Sequence, residues 1–121
     1  MGKDDVNDYL NRGMYGTKQT KVEERNRFLS TLRERIVIAL TKSQVRETGT
    51  YKQVIDEMNK NPETTLYLNG NMNYTYLRDY IIKATQLNIP FQMVTVKNTQ
   101  TDIGLVLSYP YAINKEEIFI E

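Results

Sequence analysis

The sequence predicts an α/β domain, more closely an α+β fold, built on a mixed four-stranded sheet. Three observations carry that reading. Short β-branched runs alternate with stretches of helical period, turn residues separate them, and 40% hydrophobic with 26% charged residues in 121 suits one globular core. The expected core is β-α-β-α-β-β within a single domain spanning 1–121. Its first three strands are parallel and its fourth antiparallel, and one or two short N-terminal helices precede it.

Asp4 to Arg12 places Val6, Tyr9 and Leu10 at helical spacing, with Gly13 positioned to close a short helix. Thr20 and Glu23 fit a capping box, so a second short helix starts at Lys21. Arg33 to Thr41 holds the run Ile36-Val37-Ile38-Ala39-Leu40 and reads as a first strand covered on both faces. Thr50 and Gln53 form another capping-box pattern. Behind them Tyr51, Val54, Ile55 and Met58 mark a helix that stops before Asn61-Pro62. Thr65 to Leu68 is the second strand, Asn69 to Asn73 a turn, and Tyr74, Leu77, Ile81 and Ala84 one face of a helix reaching about Leu87. Phe91 to Val96 is the third strand and Ile103 to Ser108 the fourth. The loop between them is too short for a crossover helix, and Glu117 to Ile120 is a last extended piece.

The chemistry is bounded by two zeros. Without cysteine the chain has no thiolate nucleophile and no sulfur-ligated zinc, and without histidine no Ser-His-Asp arrangement can form within it. What remains is acid-base work by carboxylate, lysine or tyrosine, or an oxygen-ligand cation site. The acidic groups Asp4, Asp5, Asp8 and Glu116, Glu117, Glu121 lack the spacing of a calcium loop, so no metal and no cofactor is expected. No apolar run reaches the roughly 20 residues that cross a bilayer, and the polar start at Lys3-Asp4-Asp5 lacks a secretion signal, so the expectation is a cytoplasmic protein without a membrane partner.

Net charge is +1, yet its distribution is uneven. Lys18, Lys21, Arg25, Arg27, Arg33, Arg35, Lys42 and Arg46 face only Glu23, Glu24 and Glu34 in the same stretch. Of these, Lys18, Lys21, Arg25, Arg33, Arg35 and Arg46 are a candidate nucleic-acid surface, although interleaved glutamates also fit a solvated, self-paired face. A second candidate is a ligand rim of Lys42, Gln44, Asn69, Gly70, Asn71, Asn73 and Lys97. Ligands in such sheets gather beyond the carboxyl ends of parallel strands, where a helix N-terminus favours an anion; helix capping by Asn71 or Asn73 is the plainer explanation of the same residues. Among nine tyrosines, Tyr51, Tyr74 and Tyr80 fall on helix faces expected in the core or at its boundary. Met14 and Tyr15 are a candidate partner contact.

Several stretches carry a likeness to a known family. Asp8 to Gly16, Glu24 to Leu29, Leu32 to Lys42 with Gln44-Val45, Tyr67-Leu68-Asn69-Gly70 and Gly104 to Leu107 together resemble the YueI-like family of small proteins from Gram-positive bacteria. The resemblance implies a mixed four-stranded sheet of chorismate-mutase-like type and a domain of unknown function, with no catalytic or binding residues to carry over. A broader likeness is to ribosomal proteins that bind kink-turn RNA, whose helix opens with Gly-Ala-Asn-Glu-x-Thr-Lys. Here that region is Gly49-Thr50-Tyr51-Lys52, without the Asn-Glu pair.

Three functions are therefore weighed. The leading one is a non-enzymatic cytoplasmic binding or regulatory module whose ligand is a protein, an RNA or a small anion. The others are an RNA-binding protein using residues 18–46 and a small enzyme with a site at a subunit boundary, homo-oligomers being open in each case.

Overall fold

The computed structural model describes residues 21–95 and 101–120. The expected helix over Asp4 to Arg12, together with Met14, Tyr15, Lys18 and Lys97, lies outside the described residues. Helix α1 (Lys21–Arg27) is followed by a 3-10 turn (Arg33–Arg35) and β1 (Ile36–Thr41), then α2 (Lys42–Val45) and α3 (Lys52–Lys60). After these come β2 (Thr65–Asn69), α4 (Tyr74–Gln86), β3 (Phe91–Val94) and β4 (Ile103–Ser108).

One sheet holds all four strands, in the order β1-β4-β2-β3. β4 runs antiparallel to both β1 and β2, while β2 and β3 form a parallel ladder. The sequence reading expected the first three strands parallel and the fourth antiparallel; only β2 and β3 form a parallel ladder, because β4 lies between β1 and β2. Every residue of Ile103–Ser108 is buried, and a strand that apolar on both faces belongs at the centre of the sheet. Alternation of strands and helices fixes directions but says little about lateral order.

The core has two layers. Val54, Met58, Leu77, Tyr80, Ile81 and Ala84 from α3 and α4 cover the face carrying Leu40, Leu66, Leu68, Leu105 and Leu107. On the opposite face Phe28, Leu29 and Ile118 cover Ile36, Ala39, Ile103 and Val106. Leu29 adopts φ 55 at the end of α1, where Ser30 N–H donates to Arg25 O at 2.7 Å; full burial holds a leucine where a glycine is usual. α4 ends in a similar way, with Asn88 at φ 61 and Ile89 N–H donating to Ala84 O at 2.8 Å, just before Pro90.

Three local expectations need correction. Arg33 to Arg35 form the 3-10 turn rather than the start of β1. Thr50 does not cap α3: the cap is Tyr51, with no side-chain cap bond, and its N–H donates to the Tyr80 hydroxyl at 2.9 Å. The capping box sits instead at Thr41 and Gln44, opening the four-residue α2 that the sequence reading missed.

Candidate functional site

The carboxyl ends of β1, β2 and β3 reach one border of the sheet, where Leu40, Leu105, Leu68 and Met93 stand in successive register. Of the predicted rim, Lys42, Gln44, Asn69, Gly70, Asn71 and Asn73 are among the described residues, and many of their polar atoms are used by the fold. Gln44 Oε1 accepts from Thr41 N–H at 2.9 Å, and its Nε2 donates to Ile120 O at 2.8 Å. Asn69 is buried: its Nδ2 donates to Ile103 O at 3.0 Å and its Oδ1 accepts from Asn71 N–H at 2.9 Å. Asn73 caps α4 by accepting from Thr75 N–H at 2.9 Å. Gly70 permits close approach of β3, since a Cβ there would lie 3.0 Å from Thr95 Oγ1 and 3.2 Å from Val94 O. Lys42 N–H donates to Asp102 O at 2.8 Å, which ties α2 to the start of β4. The geometry of these residues is that of a seam joining strand exits.

Among the described residues of the cationic stretch, Lys21, Arg25 and Arg46 are exposed and Arg27, Arg33 and Arg35 half-buried, and several of them are bonded within the chain. Lys21 pairs with Glu34 at 3.7 Å, and Arg25 donates to Ser30 O at 3.1 Å. Arg33 donates to Lys115 O at 2.8 Å and to Glu116 O at 2.6 Å, holding the C-terminal segment. Arg27 meets Asp102 at 3.2 Å while lying 4.9 Å from the Phe28 ring centre and 5.7 Å from that of Phe119. Arg35 is half-buried, and Arg46 is exposed on the turn after α2. Partial burial alone would raise the Asp102 carboxyl; the hydrogen bond and charge of Arg27, its own backbone N–H and Lys42 outweigh that and hold it below the usual carboxylate value.

The tyrosines divide. Tyr80 is buried, and burial first, then Glu47 and Asp79, push its hydroxyl upward against the lowering bond from Tyr51 N–H. Tyr51 is raised by its bond to the Glu47 carboxylate and by burial, and Tyr109 by burial and then by Tyr111 and two glutamates. Such phenols stay protonated near neutral pH and are weak general bases. Tyr74, expected at the core boundary, is 56% exposed, because it opens α4 beyond the end of the helix layer.

Its surroundings are what the sequence reading missed. Helical geometry puts Tyr74, Arg78, Ile82 and Thr85 on one flank of α4, on the side away from the Tyr80 contact with Tyr51. A shallow open depression of about 460 Å³ lined by Thr85, Asn88, Ile89, Pro90 and Phe91 joins that flank to β3. Along β3 the parallel register points Phe91 and Met93 to the helix-bearing face with Leu66 and Leu68, yet they are 42% and 43% exposed; Ile82 is 39% exposed. Alternation in Phe91-Gln92-Met93-Val94 was the available signal. Recognising it required knowing that β3 is an edge.

Fold and surface together define a small α+β domain with helices on one face of a mixed sheet and an apolar flank along one open edge. The chain belongs to the family described as Protein of unknown function (DUF1694), which matches residues 3–119. The YueI protein of Bacillus subtilis (strain 168) is 39% identical over 121 residues, spanning 100% of this chain and 92% of the relative. The crystal structure of the Bacillus subtilis YueI protein matches at a TM-score of 0.83 and 39% identity, covering 90% of this chain and 85% of that one. The family resemblance read from sequence is therefore correct, and the function of the family is not known.

Proposed function

We propose that the chain is a non-enzymatic cytoplasmic binding module that meets a protein partner along the α4 and β3 flank. One observation carries this reading: Tyr74, Ile82, Phe91 and Met93, four large apolar side chains, are each between 39% and 56% exposed on a single flank. The largest apolar patch on a soluble monomer is about 300–600 Å² and is often the functional one. The internal partners of Lys21, Arg25, Arg27 and Arg33 weigh against the alternative of an RNA surface over residues 18–46. Helices α3 and α4 on one face of the mixed sheet agree with the chorismate-mutase-like type that the family resemblance implies.

Affinity capture from a native lysate, with and without nuclease, tests the reading when wild type is compared with Ile82→Glu/Met93→Glu. Both positions are exposed, so the variant keeps its far-ultraviolet circular dichroism. Wild type should retain protein that nuclease does not release and that the variant fails to retain. Retention through nucleic acid, or equal retention by the variant, overturns the proposal.

A further inference from the structure

Among the described residues the two edges of the sheet are treated differently. Beside β1 the C-terminal segment lies along the strand: Ala39 N–H donates to Ile118 O at 2.8 Å, Ala39 bridges Phe119 in parallel, and Lys115 Nζ donates to Val37 O at 3.0 Å. β3 has no such cover among the described residues. Its sequence Phe-Gln-Met-Val contains no charge and no proline, and its register with β2 is unbroken, so it lacks the charge, proline and bulge devices that keep an edge strand from pairing and is protected by its four-residue length alone.

We infer that β3 pairs with β3 of a second copy of this chain, antiparallel about a twofold axis through Gln92, joining two four-stranded sheets into one continuous sheet. The inference rests on the reading of the α4 and β3 flank as a contact surface and names its occupant.

Backbone direction comes first. Leu66 N–H donates to Pro90 O at 2.9 Å and Gly70 N–H to Val94 O at 2.7 Å, so the even-numbered residues of this segment turn their polar groups toward β2. Phe91 and Met93 therefore aim N–H and C=O outward. In a continuous antiparallel sheet, opposed residues must share a face, which requires the axis to pass through a residue rather than between two. With the axis at Gln92, Phe91 of each copy opposes Met93 of the other as a hydrogen-bonded pair, and Gln92 opposes itself. The outward groups of both residues are then satisfied. The two exposed apolar side chains meet each other across the strands, a favourable kind of cross-strand contact.

Isologous pairing uses each side chain twice, which suits an edge only four residues long. The flank adds Ile82 and Tyr74 of each α4, and Arg78 beside them can lay its stem on the seam with its head in water. Aromatic and similarly large side chains bury about 150–250 Å² each, so four at these exposures offer roughly 300 Å² per copy. A standard interface takes about 800 Å² per partner, so this contact lies below the range of stable interfaces and is weak, dissociating on dilution. An extended peptide of another protein gains the same backbone bonds without the reciprocal Phe91 and Met93 contacts.

Because the chain has no cysteine, one substitution reports on the register. Gln92→Cys places two thiols at a non-hydrogen-bonded pair, with Cα atoms about 4.5 Å apart, inside the disulfide range of about 4.4–6.8 Å. In the full-length protein under mild oxidation, Gln92→Cys should form a covalent dimer at least roughly tenfold faster than Gln53→Cys, an exposed control on α3, because paired thiols meet at high effective concentration. In sedimentation velocity, wild type should rise with concentration from 14.2 kDa toward twice that mass, while Met93→Glu stays at 14.2 kDa with unchanged circular dichroism. Cross-linking no faster than the control, a monomer at every concentration, or a dimer that Met93→Glu leaves intact overturns the inference. A Gln92→Cys thiol shielded from alkylation in a monomer also overturns it, since another part of the chain then covers the edge. If self-pairing fails while lysate capture still depends on Ile82 and Met93, the flank reading stands with a different partner.

Discussion

Gly104→Ala should destabilise the fold although it adds only a methyl group. Gly104 lies in β4 beneath the junction of α2 with the turn before α4. A Cβ there would come 2.9 Å from Val45 Cγ2, 3.0 Å from Met72 Sδ and 3.2 Å from Lys42 Cα. Methionine can move aside, but Val45 is stiff at χ1 and Lys42 Cα moves only with α2 itself. Removing glycine from a strand is worth about 0.5–1 kcal/mol in favour of alanine, whereas overpacking a close contact costs about 1–3 kcal/mol. The clash prevails, with a net loss of roughly 1–2 kcal/mol. At about 2.1 cal/mol/K of unfolding entropy per residue, that lowers the midpoint by about 4–8 °C for a chain of 121 residues. Urea and thermal unfolding give the value, and Val45→Ala supplies a cycle in which the double variant loses less than the sum of the two single losses. A Gly104→Ala protein as stable as wild type, or strictly additive losses, refutes the packing argument.

Four groups at other positions give further outcomes. Asn69→Ala strands Ile103 O in a buried site and removes the partner of the part-buried Asn71 N–H, and should cost about 1–3 kcal/mol in urea unfolding. Arg33→Ala should lower stability by about 1.5–3 kcal/mol, the range for bonds from a charged donor, and speed exchange of the Ala39 amide, because Arg33 anchors the segment that covers β1; loss of nucleic-acid retention at unchanged stability would contradict this. Asp102 titrates below its unfolded value, so its contribution is full above the unfolded pKa and disappears as pH falls through the folded one; the urea midpoint should drop on acidification below about pH 4, less steeply in Asp102→Asn. Tyr80 is shifted the other way, so stability should fall as pH rises past about 10 and the unfolded chain ionises first, a loss that Tyr80→Phe reduces.

Much of the architecture was legible because it is local. Ile36 to Leu40, Leu66 with Leu68, and Ile103 to Leu107 announce themselves by composition, and Asn73 before Tyr74 announces a helix start. Lateral order was not legible, since nothing in a strand's own residues states which neighbour it pairs with. The insertion of β4 between β1 and β2 is settled only by competition for the most buried place. The candidate rim shows the same limit at side-chain scale. Gln44, Asn69 and Asn73 were found at one border, but their bonds run to Ile120, Ile103 and Thr75, two of them contacts made over long sequence distance. The arginines of the cationic stretch look available in sequence for the same reason: Arg33 and Arg27 find partners in the last third of the chain. Conversely, Phe91 and Met93 have the composition of core residues, and only their place on the outermost strand leaves them in solvent.

Amide exchange at β3 puts the account of this flank to its most direct trial, read residue by residue by nuclear magnetic resonance at several protein concentrations. Gln92 and Val94, whose N–H groups face β2, should be protected throughout, while Phe91 and Met93 should exchange freely in dilute solution and gain protection as concentration rises. Full protection of Phe91 and Met93 at the lowest concentration, or none at the highest, would contradict an open edge that a second copy closes.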